Sequence, residues 1–348
     1  MKKIYSLDGI RAIAVFIVIV AHSGYNHVVP GGFGVTVFFF LSGFLICTLL
    51  LREIELRDSI SLKKFYIRRA LRILPPYFLV FIAMGIVQVA IEGRVPLVGA
   101  LMQALMMTNY QVLFGGEQSI VFGTLLFWSL SVEEHFYLLF PILLVFFTRK
   151  ALSIRQMIFV LLVFCLVALL WRCYVFYTFA NSASWTYLAT DSRYDSILFG
   201  CIFAMLFRGK IGTKQQAVGW QLATLLVLSA FVLLFTFLYR DEFFRQTWRY
   251  TIQGLSLMPF FYLAVRYPHN PLCAWLNWSW VERIGLYSYS MYLTHVPIIH
   301  LVRWFIGAEI KSYFVVGITF TVAMALGYFI NILIERPAVK LRSRYSMV

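Results

Sequence analysis

Long apolar runs, separated by short polar or charged stretches, recur from one end of the chain to the other. Ten of them approach the roughly 20 residues that a helix needs to cross a bilayer. They fall at 7–26, 33–51, 73–91, 123–147, 157–176, 187–207, 219–239, 248–265, 285–305 and 313–334. A further run, 96–113, is interrupted by Gln103, Thr108 and Asn109, and reads as lying on the membrane surface or re-entering it. No repeat or low-complexity segment breaks the pattern, and no soluble domain of ordinary size fits between the runs. The expectation is an all-α, polytopic transmembrane helix bundle of about ten spanning helices, forming one integral membrane domain over residues 1–348.

Composition agrees with that picture. Of 348 residues, 61% are hydrophobic and 13% charged, about half the charged fraction of a soluble domain. The net charge of +15 invites a nucleic-acid partner, but its distribution argues for lipid instead. With the N-terminus in the cytoplasm, the inner segments collect Lys2, Lys3, seven basic residues from Arg52 to Arg72, Arg149, Lys150, Arg155, Arg208, Lys210, Lys214, Arg266, Arg283, Arg336, Lys340, Arg342 and Arg344. The outer segments hold only Arg94, Arg240, Arg245, Arg249, Arg303 and Lys311, and the spans only Arg11, Arg172 and Arg193. This bias predicts that both termini are cytoplasmic. Cys47, Cys165, Cys173, Cys201 and Cys273 lie in or beside apolar stretches without a CxxC pair, so they read as packing residues rather than disulfides or metal ligands. The first run resembles a signal peptide, but Asp8 and Arg11 suit a signal's basic leader poorly, and an uncleaved first span is expected.

Several charged and polar residues stand where hydrocarbon should be. In the first run, Arg11 and His22 are eleven residues apart, roughly 16 Å along a helix axis and about 20° apart around it. They share a face, so a long ligand anchored at Arg11 can reach His22. The fourth run carries Glu133, Glu134 and His135 in succession. Adjacent carboxylates diverge by about 100° on a helix, so one can face a cavity while the other packs against a neighbour. Arg193 and Asp195 mark the sixth run, His295 the ninth and Glu335-Arg336-Pro337 the last. Each taken singly reads as an internal ion pair or a kink; together they imply an enclosed polar cavity. In the basic inner segment, Ser61 is placed to cap a short helix running into Pro75, with Arg69 and Arg72 on one face. That cluster reads either as a topology anchor or as an anion site. No GxSxG, Walker A, HExxH or dinucleotide glycine motif is present, and the i,i+5 spacing of His22/His27 and His295/His300 does not stack two metal ligands on one helix face.

In order, these residues resemble the membrane-bound acyltransferase-3 family, which includes bacterial O-antigen, exopolysaccharide and Nod-factor O-acyltransferases. The resemblance runs through Leu7-Asp8-Gly9-Ile10-Arg11-Ala12 with the Arg11/His22 pair, Gly34-Val35 and Phe38 to Ile46. It continues through Arg69-Ala70-Leu71-Arg72, Trp128-Ser129-Leu130 with Ser131, Glu133, Phe136 and Tyr137, then Arg193-Tyr194-Asp195, Tyr292-Leu293-Thr294-His295 and Glu335-Arg336-Pro337. His135 stands where the family usually has Gln, and Thr294 where an aromatic is common; both departures bear on acceptor choice. Some relatives carry an additional C-terminal SGNH hydrolase-like domain; none is expected here, and where final transfer needs one, another protein is expected to supply it.

The resemblance implies an acyl-CoA donor, with acetyl-CoA expected, entering from the cytoplasm. It implies a carbohydrate acceptor at the opposite face of a bacterial inner membrane, and calls for no metal and no nucleic acid. His22 is then the general base or a transient acyl carrier, and Glu133 orients or charge-balances His22 or contacts the acceptor. Arg11, Arg69 and Arg72 are expected to bind the donor's phosphates or arm, and Ser42 to hydrogen-bond near the thioester. Asp8, Glu134, Arg193, Asp195 and His295 are the remaining candidates for substrate contact. Two rival readings share the buried charge: a flippase or exporter, which would move an intact solute without releasing CoA, and a non-catalytic scaffold, which would tolerate loss of His22.

Overall fold

The computed structural model describes residues 4–208, 219–307 and 310–343, the side chains of Arg342 and Ser343 excepted. Lys2, Lys3, Lys210, Lys214 and Arg344, together with the Arg342 side chain, lie outside the described residues. Those described are helices and connecting loops without a strand. In chain order the helices are α1 (Leu7–Val20), α2 (Gly31–Arg57), α3 (Leu62–Glu92), α4 (Leu97–Ala104), α5 (Thr108–Gly115), α6 (Phe127–Arg149), α7 (Ile154–Thr178) and α8 (Ser182–Leu188). There follow α9 (Thr190–Leu206), α10 (Trp220–Leu238), α11 (Glu242–Gln246), α12 (Trp248–Arg266), α13 (Ser279–Ile306), α14 (Ser312–Ile330) and α15 (Arg336–Ser343). π-Helical turns at Ala21–Tyr25 and Asn331–Glu335 continue α1 and α14.

Among the described residues, seven helical stretches are long and apolar enough to span a membrane: Leu7–Tyr25, Gly31–Arg57, Leu62–Glu92, Phe127–Arg149, Ile154–Thr178, Trp220–Leu238 and Ser312–Leu341. The protein is therefore a multi-pass membrane protein. The three other runs expected to span are also helical, as α9, α12 and α13, but fall short by length or polarity. Helix α9 has 17 residues and carries Asp191, Arg193 and Asp195. Arg249 and Arg266 bracket α12, and α13 includes Glu282, Arg283 and Arg303. Helix α9 is buried by protein along almost its whole length, so its polar residues need not satisfy lipid.

The chain divides into two compact units with interleaved segments. The first comprises Met1–Ala14, Gly32–Asp58 and Leu143–Leu286. Within it, α2 and α9 meet through small residues: a Cβ on Gly43 would fall on the Ile197 carbonyl, and one on Gly200 on the Phe40 carbonyl. Both positions therefore require glycine, since any side chain would force the two backbones apart. Around that contact Phe40, Phe44, Phe203 and Phe261 form an aromatic core, with Phe40 and Phe261 centroids 4.4 Å apart. Helix α7 begins with a capping box, in which Ser153 Oγ accepts from the Gln156 backbone N–H and Gln156 Oε1 accepts from that of Ser153.

The second unit comprises Val15–Gly31, Ser59–Ile142 and Tyr287–Val348. Its core packs Tyr77, Val80 and Met84 of α3 with Met106, Val121, Phe127, Leu130 and Leu293. The short helix expected between Ser61 and Pro75 is instead the first part of α3, which runs 31 residues with Pro75 and Pro76 inside it. Ser61 occupies the cap position without a side-chain cap bond. The prolines remove two backbone donors from this turn, where the Tyr289 hydroxyl donates to the Ile73 carbonyl at 2.9 Å. The interrupted run 96–113 becomes α4 and α5, and the polar residues that interrupt it are buried. Gln103 holds the neighbouring chain in place: its Oε1 accepts from Val121 N–H at 2.8 Å and its Nε2 donates to Thr124 Oγ1 at 2.7 Å. Its backbone carbonyl accepts from the Tyr77 hydroxyl at 2.7 Å.

Candidate active site

The chemistry on the first span begins with an ion pair in the first unit. Arg11 Nη1 lies 2.6 Å from Asp8 Oδ1, three residues back on α1. Asp8 thus has a protein partner of its own, which explains a carboxylate at the start of a spanning helix. The pair is only partly buried.

Eleven residues on, in the second unit, α geometry has just given way to the π-helical turn, and Gly24 takes a φ of 117° that favours glycine. His22 sits in this turn and is exposed. Its Nδ1 is 2.9 Å from the Val18 carbonyl and 3.3 Å from His295 Nε2. A carbonyl oxygen only accepts, so Nδ1 carries the proton, and in the neutral ring Nε2 keeps a lone pair. Nε2 has no partner among the described residues.

His295, on α13, is fully buried. Its Nδ1–H donates to the Tyr292 carbonyl at 2.7 Å, so its Nε2 also keeps the lone pair and accepts from His22. Tyr292 itself is fixed to α6: its hydroxyl shares a hydrogen bond with Ser129 Oγ at 2.7 Å and donates to the Leu126 carbonyl at 3.3 Å. The sequence reading missed the pairing of His22 with His295, which lie 273 residues apart. The one signal available was that each histidine falls within an apolar run.

The paired glutamates of α6 are both partly buried and differ in their hydrogen bonding. Glu133 Oε2 accepts from the Tyr137 hydroxyl at 2.9 Å. The Arg69 guanidinium lies over the Tyr137 ring, 5.5 Å from its centroid, and over Phe65 at 5.8 Å. Glu133 is therefore tied to α3 through Tyr137, and His22 is held by Val18 and His295 rather than by Glu133. Glu134 places Oε1 in a buried position with no hydrogen-bond partner. Arg72, one turn beyond Arg69, is exposed, and Ser42 of α2 is half-buried in the first unit.

Arg193 and Asp195 belong to the interior of the first unit. Asp195 pairs with Arg172 of α7 at 2.8 Å, and both side chains are fully buried. Arg193 is also fully buried; its Nη2 donates to Thr36 Oγ1 at 3.1 Å and its Nη1 to the Tyr187 carbonyl at 3.2 Å. The Arg193 guanidinium stands 4.1 Å from the Tyr250 ring centroid and 5.4 Å from that of Phe39. These partners leave neither residue open to a substrate, so the structure gives both an internal role.

Residues 4–335, a range holding every one of these groups, match a family model described as an acyltransferase domain. The chain belongs to the acyltransferase-3 family. Acyltransferase-3 proteins with similar sequences include the peptidoglycan O-acetyltransferase OatA of Listeria monocytogenes, 28% identical over 86% of this chain and 50% of its own length. The O-acetyltransferase OatA of Staphylococcus aureus strain NCTC 8325 is 28% identical over 93% of this chain and 57% of its own length. A putative O-acetyltransferase of S. aureus strain COL is 29% identical over 93% and 56%. The chain thus spans about half the length of the curated relatives it matches. No solved structure matches it.

Proposed function

We propose that this acyltransferase-3 chain is a transmembrane O-acyltransferase that moves an acyl group, acetyl in the first instance, from cytoplasmic acyl-CoA to a hydroxyl of a cell-surface carbohydrate or its lipid-linked precursor. The observation that carries the reading is His22: an exposed imidazole on a spanning helix, its Nδ1–H engaged and its Nε2 without a partner. Nε2 takes the proton of the acceptor hydroxyl as that oxygen attacks the thioester carbonyl. The C–S bond then breaks, the new ester forms, and the proton passes from His22 to the leaving sulfur, so that free CoA departs. Arg69, Arg72 and Arg11 bind the anionic part of the donor. The name of the Listeria monocytogenes relative makes a peptidoglycan sugar the leading acceptor. Mass spectrometry of surface glycans from cells with and without the chain tests the reading. A mass difference of one acetyl group is expected, and identical glycans with no CoA release would overturn it.

In this reading all ten apolar runs span the bilayer, α9, α12 and α13 among them, with both termini and the 52–72 segment in the cytoplasm of an inner-membrane protein. A single cysteine near Lys63, introduced after removal of the native ones, is expected to resist an impermeant thiol reagent in intact cells, while one near Arg245 reacts. The reverse pattern would place the basic segment outside and refute entry of the donor from the cytoplasm.

The two glutamates are expected to separate under conservative substitution. Glu133→Gln weakens the hydrogen bond through which Tyr137 and Arg69 are arranged, and transfer should fall at least tenfold, about 1.4 kcal/mol of barrier, with insertion unchanged. Glu134→Gln removes a carboxylate with one oxygen buried and unpaired, so thermal stability in detergent should hold or rise and transfer should persist. Equal effects of both substitutions on transfer would refute the division of roles.

A further inference from the structure

We propose that His295 is the positioning residue of this site: by accepting from His22 Nδ1–H, it fixes which nitrogen of His22 serves as the base. The proposal rests on the reading of His22 as that base, and it names the group on which the base depends.

The argument is one of donors and acceptors. A neutral imidazole has one N–H and one lone pair, and either nitrogen can carry the proton. The Nδ1 of His295 is 2.7 Å from the Tyr292 carbonyl, which can only accept. The proton of His295 is therefore spent on its own helix, and the nitrogen facing His22 can do nothing but accept. Across a 3.3 Å contact that lone pair meets His22 Nδ1, which also faces the Val18 carbonyl at 2.9 Å. Two acceptors thus share one N–H. Both demand the proton on Nδ1, and the opposite tautomer would set the His22 lone pair against a carbonyl and a second lone pair. The Nε2 lone pair is what remains, on the exposed side chain.

The accepting ring is itself held rigidly. His295 is fully buried, and its centroid stands 5.2 Å from that of His22 at an interplanar angle of 48°. Its anchor Tyr292 is fixed to α6 through Ser129 and the Leu126 carbonyl. Pro297 follows two residues later in α13, where a missing N–H interrupts the helix's own ladder. The Val18 carbonyl, on the same turn, holds Nδ1–H only while the exposed ring keeps its orientation; the second acceptor, supplied by a separate helix, limits the rotation that would bring Nε2 to Val18 instead. Misplacement of a reacting group by about 1 Å can cost about a hundredfold in rate.

The tautomer is read without any assay of transfer. Nitrogen NMR of the purified full chain labelled with 15N-histidine, with the His22 signals assigned by difference from His22→Ala, should show the proton on Nδ1. Finding it on Nε2 in the unsubstituted protein would overturn the proposal outright. In His295→Leu, Nε2–H should become populated at His22, and kcat for CoA release from acetyl-CoA with solubilised peptidoglycan fragments should fall about ten- to a hundredfold, with KM for acetyl-CoA within about twofold. His295→Gln, whose side-chain oxygen can accept from His22, should restore the Nδ1–H form and most of kcat. If His295→Leu does not insert, the spectra of the unsubstituted protein and of His295→Gln decide. An unchanged kcat and tautomer in His295→Leu would refute positioning while leaving His22 as base. Retained transfer in His22→Ala would refute the base itself, and the NMR result would still stand.

Discussion

Replacing His22 with alanine is expected to slow transfer by about a hundred- to ten-thousandfold, the range for loss of a positioned general base, while acyl-CoA still binds. The separation follows from where the groups sit. His22 lies in the π-helical turn beyond α1 and, among the described residues, hydrogen-bonds only through Nδ1, so truncation leaves no buried partner stranded except the lone pair of His295. The cationic groups proposed for the donor are elsewhere: Arg11 opens α1 beside Asp8, and Arg69 and Arg72 are in the first half of α3. The Arg69→Ala/Arg72→Ala double variant should therefore raise the dissociation constant for CoA, with a weaker effect from Arg11→Ala because Asp8 already occupies one of its N–H groups. Titration of CoA against each purified variant, alongside thiol release with acceptor present, separates the two roles. Near-normal turnover by His22→Ala would remove it from the chemistry. Normal CoA binding by the double variant would reduce the basic segment to a topology anchor.

The spanning helices are legible in the sequence because lipid imposes a length and an apolar character that a simple count detects. The same rule stops working where protein replaces lipid. Helix α9 is enclosed by its own unit, so its Arg193 and Asp195 are not held to the lipid's requirements. The run 96–113 shows the same effect on a smaller scale, since its interrupting polar residues face protein, where Gln103 alone satisfies Val121 and Thr124. Spacing on one helix places Arg11 and His22 on the first span, and it separates Glu133 from Glu134, because both arguments stay within a few turns. Partners contributed by another helix are beyond its reach. Asp195 invites pairing with Arg193 two residues away, yet its partner is Arg172 of α7. His22 invites pairing with a carboxylate, yet its partner is His295. Pro75 suggests a helix start by its usual preference, but α3 carries both prolines in its interior.

Removing either member of the Arg172–Asp195 pair is expected to destabilise the protein by about 3–5 kcal/mol, and removing both by less than the sum of the two. Both side chains are fully buried with Nη2 and Oδ2 2.8 Å apart, so neither charge can turn to water when its partner is lost. Arg172 also donates from Nη1 to the Ser192 carbonyl at 2.6 Å, from Nε to the Thr247 carbonyl at 3.1 Å, and from Nη2 to Thr251 Oγ1 at 2.7 Å. One guanidinium thereby joins α7 to the first turn of α9 and to the junction of α11 with α12. Asp195 retains the Ser196 N–H at 2.8 Å and the Thr251 hydroxyl at 3.2 Å, which soften but do not cancel the loss of the cation. In Arg172→Met the stranded group is a carboxylate, and in Asp195→Leu it is a guanidinium. The double variant strands neither charge, yet it removes the donors that Arg172 supplies to the Ser192 and Thr247 carbonyls, at about 0.5–1.5 kcal/mol for each hydrogen bond. It should therefore recover part of the loss and not all of it. Denaturant titration of the four proteins in one detergent measures the cycle. Strictly additive losses would mean that the pair contributes nothing beyond its separate contacts. The internal role assigned to Asp195 carries a second requirement, because a residue enclosed by protein cannot select a substrate. The folded fraction of Asp195→Leu should keep the KM of the parent for both donor and acceptor, and a raised acceptor KM in properly folded material would return Asp195 to the substrate site.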